Sequence, residues 1–200
     1  DPRGKYGVGL GLALSPTGAD HIEAPHDTSF TTDGVMLGAI KPLGIIEPMS
    51  ATEMGPPKVR QFMHTQQMFS FFNSLGICNF SAVPYTAYTL PKIAELLEAV
   101  TGWNTSLYEI MELGERAITM ARMFNMREGF TQQDDSLPER FFEPLEEGTP
   151  GEKRIKREDF SEGLRLYYEA MGWDSKTGVP TDGRLAFLGL DWLIEPKGLV

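Results

Sequence analysis

The strongest periodic signal begins at Lys58. KVRQFMHTQQMFSFFN runs without Gly or Pro, and Val59, Phe62, Met63, Gln66 and Phe69 share one face of a 3.6-residue period. Its C-terminal end is apolar nearly all round, as expected of a helix whose last turns enter a core. Ser74-Leu75-Gly76 ends it, with Gly76 as a left-handed terminator. Leu90-Pro91 opens a second helix, PKIAELLEAV, which Thr101-Gly102 closes. Asn104, Thr105 or Ser106 caps a third and longest helix, reaching about Asn125. Its apolar stripe is Leu107, Ile110, Met111, Gly114, Ile118, Ala121 and Phe124, and a glycine on such a stripe predicts close helix–helix approach. REDFSEGLRLYYEAMGW is a fourth helix with Phe160, Leu164, Tyr167, Tyr168 and Met171 inward. Thr181 caps a short final one, TDGRLAFLGL.

Before Lys58 the pattern is different. Residues 1–57 are rich in Gly and Pro. GVGLGLALSPTGADH reads as a short helix followed by a loop. Segment 26–57 carries turn signals at Asp33-Gly34, Pro42, Pro48 and Pro56-Pro57, and reads as irregular structure with short elements. REGFTQQDDSLPERFFEPL is polar and irregular, and EEGTPGEKRIKRED is a surface loop. No run alternates with the period of a strand. The expected class is mainly α: a multihelical region over 58–200, preceded by an irregular Gly/Pro-rich stretch over 1–57.

Composition narrows the partners. The formal charge of −10 at pH 7 argues against nucleic acid and anionic membranes, which both select basic surfaces. The chain contains no 18-residue apolar run, so no membrane insertion is expected. A single cysteine excludes a disulfide scaffold and fits a reducing compartment, hence a cytoplasmic location. The opening DPRGKYGVG has no Met and no signal-peptide pattern, and reads as the interior of a longer protein.

Four features are candidates for chemistry. Gly7-Val8-Gly9-Leu10-Gly11 approaches a dinucleotide fingerprint, but its spacing is GxGxG and no βαβ unit surrounds it. His21 sits in a glycine-containing loop, SPTGADH, where backbone can come close to a ligand. His26 follows across a proline, and His64 lies on the first long helix without a helical partner; both read as structural histidines. Asp134-Asp135 with Arg140 reads as a cap or salt-bridged loop. Cys78 follows a helix end and a glycine turn, where free backbone amides can serve a thiolate or an anionic ligand. One thiolate cannot hold zinc or an iron–sulfur cluster alone. Cys78 is therefore either a small buried side chain in a helical binding module, or one ligand of a site completed elsewhere.

The residues around Cys78 carry a resemblance. NSLGIC, residues 73–78, is similar to the D-x-x-G-L-C motif of the tungsten-containing aldehyde:ferredoxin oxidoreductase family. DPRGKYGVGLGLALSPTGADH, FNMREGFTQQDDSLPERFFEPL and YYEAMGWDSKTGVPTDGRLAFLGL resemble, in the same order, segments of that family's C-terminal region. The resemblance implies a tungsten (or molybdenum) bis-pterin enzyme with a [4Fe–4S] cluster. Such an enzyme oxidises an aldehyde to a carboxylic acid and passes electrons to ferredoxin or another carrier. It implies Cys78 as the fourth cluster ligand, with the other three in a C-x-x-C-x-x-x-C motif outside these residues. By the same resemblance His21 stands beside the metal, Gly18 and Asp20 lie along the pterin, Asn73 takes the place of a pterin-binding Asp, Ile77 that of Leu, and Asn79 follows the ligand. The missing N-terminal part of the enzyme is then an obligatory partner, and a second copy of the protein a further candidate. Two departures, Asn73 for Asp and Glu23 where the family often has a basic residue, bear on the substrate. They leave room for a paralogue acting on an aromatic acyl-CoA.

Overall fold

The computed structural model describes residues 1–82, 88–144 and 154–194; residues 145–153 of the expected surface loop lie outside them. The described residues form seven α-helices and no strand beyond a single bridge between Trp173 and Pro180. They are α1 (Tyr6–Leu14), α2 (Val35–Ile40), α3 (Pro56–Leu75), α4 (Leu90–Thr101), α5 (Leu107–Arg127), α6 (Arg157–Ala170) and α7 (Asp182–Phe187). Short 3-10 turns at Asp27–Phe30, Lys41–Leu43 and Glu139–Phe142 mark the stretches read as irregular. The mainly α class thus holds, and the caps follow local chemistry. Ser106 makes a capping box with Glu109, its hydroxyl accepting from Glu109 N and the Glu109 carboxylate from Ser106 N. Thr89 and Thr181 cap α4 and α7.

The central element is α3, shared by two hydrophobic cores. Val59 and Phe62, in its first half, pack with Leu10, Ile118, Phe160, Tyr167 and Met171. Met68, Phe69 and Phe72, in its second half, pack with Leu37, Ile40, Leu90, Ile93 and Ile110. Being covered on most sides, α3 buries its polar residues as well, and several find specific partners. Gln66 Oε1 accepts from Tyr167 Oη at 2.6 Å, Gln67 Nε2 donates to Glu115 Oε2 at 3.1 Å, and Ser70 Oγ donates to the Gly114 carbonyl at 2.9 Å. Pairing matters because a buried polar group without a partner costs about 1–3 kcal/mol.

Gly114 sets the distance between α3 and α5. A Cβ built there would lie 2.7 Å from the Gln67 carbonyl carbon, which only backbone movement could relieve. Overpacking of this kind costs about 1–3 kcal/mol, against roughly 1 kcal/mol regained from helix propensity. Gly114→Ala is expected to lower the unfolding free energy by up to about 2 kcal/mol, read as a reduced urea midpoint. An unchanged midpoint would show that the crossing has slack.

The Gly7, Gly9 and Gly11 run is helical, not a phosphate loop. These glycines face Asp27, Ile155 and Phe62, and an added Cβ would meet those side chains at 3.1–3.3 Å. Their spacing serves packing. The acidic stretch also has a structural use, as expected of it, though Arg140 is not the partner. Asp134 Oδ2 accepts from Thr131 N at 2.7 Å, closing a turn. Asp135 is buried, pairs with Arg122 of α5 at 2.8 Å and accepts from the Tyr168 hydroxyl.

Candidate functional site

The His21 loop, residues 15–26, leaves the C-terminus of α1 and is tied down at three places. On its first limb, Asn125 Nδ2 of α5 donates to the Pro16 carbonyl at 2.8 Å. Beside that limb lies a cleft of about 480 Å³, bordered by Ser15, Gly18, Arg122, Asn125 and Trp173. At its far limb, Lys5 Nζ donates to His26 Nδ1 at 2.9 Å. Burial, then the neighbouring Lys5 charge, holds the His26 pKa below its ordinary value, so the imidazole stays a neutral acceptor. In the middle, Asn79 Nδ2 donates to the Ile22 carbonyl at 3.3 Å.

Within the loop, Gly18 adopts φ +91°, is exposed, and has open space where a side chain would be. Asp20 Oδ1 accepts from Ile22 N at 2.8 Å, a local turn that presents His21 between them. His21 is exposed, its ring 6.0 Å from that of His26. Glu23 is half-buried and hydrogen-bonded to Thr17 at 3.3 Å; desolvation pushes its carboxyl above the usual range.

The Cys78 turn is built by the end of α3. Gly76, at φ +70°, lets Ile77 N reach the Phe72 carbonyl at 2.9 Å while Gly76 N reaches that of Asn73 at 3.2 Å. This is a Schellman closure, and its apolar residue Ile77 packs toward the second core. The next residue then turns outward, so Cys78 is exposed. The reading of Cys78 as a small buried side chain is therefore wrong. The closure turns Ile77 toward the core and its neighbour Cys78 to the outside. The Cys78 carbonyl accepts from both Ser81 N and Ser81 Oγ at 2.8 Å, which fixes the backbone that carries the thiol.

Asn79 joins the two parts. It is buried, 9% exposed, and its amide donates to the Asn73 side-chain oxygen at 3.2 Å as well as to Ile22. The residue after Cys78 therefore holds the residue after His21. The Cys78 turn thus meets the middle of the His21 loop through Asn79, while Gly18 lies on that loop's first limb, at the Asn125 cleft. Among the described residues no group of three or more His, Cys, Asp or Glu side chains could hold a metal ion. His64 stands apart, half-buried on α3 with Nδ1 3.3 Å from Gln67 Oε1, its pKa lowered by burial.

Sequence reasoning missed the support beneath the loop. Asp27 and Lys58 are both buried, with Lys58 Nζ 3.1 Å from Asp27 Oδ2, and Gly7 N donates to the same oxygen at 2.9 Å. They are separated by 31 positions, too far for any local pattern to reveal. Desolvation lowers the Lys58 pKa and the Asp27 charge opposes that. Lys58→Met would leave a buried carboxylate without its counter-charge, which costs about 3–5 kcal/mol. The expected result is a large drop in thermal midpoint, restored in part by adding Asp27→Asn. No rescue by the second change would mean that Lys58 acts through packing.

Comparisons with known proteins bear on the chain as a whole. The family described as "Aldehyde ferredoxin oxidoreductase, domains 2 & 3" matches residues 1–190. A tungsten-containing aldehyde ferredoxin oxidoreductase of Pyrococcus horikoshii is 30% identical over 195 residues, 96% of this chain and 29% of that protein. The aliphatic sulfonate oxidoreductase, WOR-like subunit, of Pyrococcus furiosus is 33% identical over 127 residues, 60% of this chain and 20% of that one. Among solved structures, the active site complex BamBC of benzoyl coenzyme A reductase with 1,5 dienoyl-CoA superposes with a TM-score of 0.60 at 21% identity. That match covers 84% of this chain and 25% of that one, and it shows a shared fold. The chain spans about 29% of the length of the tungsten relatives it matches. Matched along almost its whole length, the chain belongs to the aldehyde ferredoxin oxidoreductase family and represents its C-terminal region.

Proposed function

We propose that this chain is the part of a tungstopterin oxidoreductase that supplies one thiolate to a [4Fe–4S] cluster and one histidine to the metal–pterin centre. The carrying observation is the Asn79 amide, which ties the His21 loop to the Cys78 turn. The residues fit such a group in three ways. Cys78 is exposed on a fixed turn, as a ligand shared with other parts of a protein must be. Gly18 leaves open space for a flat molecule. Asn79 Oδ1 is buried with no partner among the described residues, so an acceptor awaits a donor.

In this reading Cys78 holds iron, and Gly18, Asp20, Asn73, Ile77 and Asn79 border the pterin. Ile77 does so through its backbone, since its side chain packs toward the core, and Asp20 mainly by shaping the turn. His21 gives or takes a proton at its imidazole. The bound tungsten or molybdenum centre and the cluster supply the redox chemistry and the electron path. The substrate is an aldehyde, the electron acceptor a ferredoxin, and the remainder of the enzyme provides the other three cluster cysteines. Among the described residues no helix is long and apolar enough to cross a membrane; the cytoplasmic setting is part of the proposal.

The test is metal analysis of the full-length enzyme purified without oxygen, followed by activity assays. Expected are tungsten or molybdenum with about four iron atoms per chain, and aldehyde-dependent reduction of ferredoxin. Absence of iron would sink the reading. Metal and iron present, with activity toward an aromatic acyl-CoA and none toward aldehydes, would favour the second substrate. Asn73 and Glu23 are the sequence positions that keep it in view.

A further inference from the structure

A small cavity lies beneath the His21 loop, next to the Asp27–Lys58 pair. It measures about 10 Å³ and is bordered by Gly7, Asp27, Phe30, Gln61, Phe62 and Thr65. Two polar atoms there are unpartnered among the described residues. Asp27 is 4% exposed; its Oδ2 is taken by Gly7 N and Lys58 Nζ, while Oδ1 has no partner. Gln61 is 2% exposed; its Oε1 accepts from Lys58 Nζ at 3.2 Å, while Nε2 has no partner. One atom is an acceptor and the other a donor, and each costs about 1–3 kcal/mol if left unsatisfied.

A buried water needs roughly 10–15 Å³ of such space and about two to four polar partners. The space is at the size of one molecule, which excludes larger ligands. The adjacent Lys58 ammonium disfavours a cation, and the Asp27 carboxylate disfavours an anion. We propose that this cavity is a binding site for a single internal water, which accepts from Gln61 Nε2 and donates to Asp27 Oδ1. Thr65 Oγ1 serves as the third partner. Its proton is directed to the Gln61 and Phe62 carbonyls at 2.8 and 3.1 Å, so its lone pairs remain to accept the water's second hydrogen. The water completes the polar anchor that joins α1, α3 and the end of the His21 loop.

A crystal structure of the full-length enzyme, at a resolution that shows ordered water, tests the site. The expected result is one density peak within about 2.7–3.2 Å of both Asp27 Oδ1 and Gln61 Nε2, lost in Gln61→Met. An empty cavity would overturn the proposal, as would a direct bond between Gln61 Nε2 and Asp27 Oδ1. A peak that persists unchanged in Gln61→Met would also overturn it, because the donor assigned to the water would be wrong. Should that variant fail to fold, the wild-type map decides alone.

Discussion

Cys78→Ser in the full-length enzyme is expected to abolish a stable cluster. Iron content should fall, the cluster's EPR signal should change or vanish, and turnover should fall with it. The reason is chemical. A serine hydroxyl is a poor ligand for iron where a thiolate is required, and Cys78 is the chain's one cysteine, held outward on a turn with no second sulfur to replace it. Folding should be little affected, because the side chain is exposed and its turn is held by backbone and Ser81 contacts. The far-UV circular dichroism of the variant should therefore match that of the wild type. A normal cluster spectrum and potential in Cys78→Ser would remove the ligand assignment.

His21→Ala is expected to do the opposite. Tungsten and iron should stay near normal while kcat falls by about 10²–10⁴-fold, the range typical of a positioned proton donor or acceptor. The loop should keep its shape without the imidazole, since the hydrogen bonds that hold it run through Pro16, Ile22, Asp20 and His26, and the His21 ring adds only a 6.0 Å ring contact with His26. Anaerobic metal analysis beside steady-state kinetics separates the two variants. Equal loss of metal in both would mean that His21 holds the centre together and moves no proton.

Much of the architecture was legible because the helix signals were local. Pro91 at the start of α4, Gly76 and Gly102 at the ends of α3 and α4, and Ser106 among the cap candidates of α5 all act over a few neighbouring residues; Pro56-Pro57, read as a turn, instead opens α3. The Gly114 stripe position likewise foretold a close crossing. What escaped was long-range pairing. Nothing local names partners for the polar residues of α3, yet Lys58, Gln61, Gln66, Gln67 and Ser70 are buried against Asp27, Tyr167, Glu115 and Gly114. The family was legible through the order of its motifs. Periodicity left the position of Cys78 open, because a thiol after a glycine turn faces the core or the outside according to one residue of phase. Ile77 decided it by packing inward. Nor could spacing show that Asn79 turns its amide back to Ile22 and Asn73.

The polar residues of α3 also govern how the protein comes apart. A helix with one apolar stripe can persist while its neighbours loosen. This one cannot: releasing α5 or α6 strands Gln67, Ser70 or Gln66 in a half-opened interior, away from both water and partner. Partial opening is thereby more costly than its lost apolar contacts alone would make it, and the helices around α3 are bound into one cooperative unit. The His21 loop is coupled to the same unit at its end, where Asp27 meets the buried Lys58 of α3, so opening α3 there would strand a charge as well as an amide.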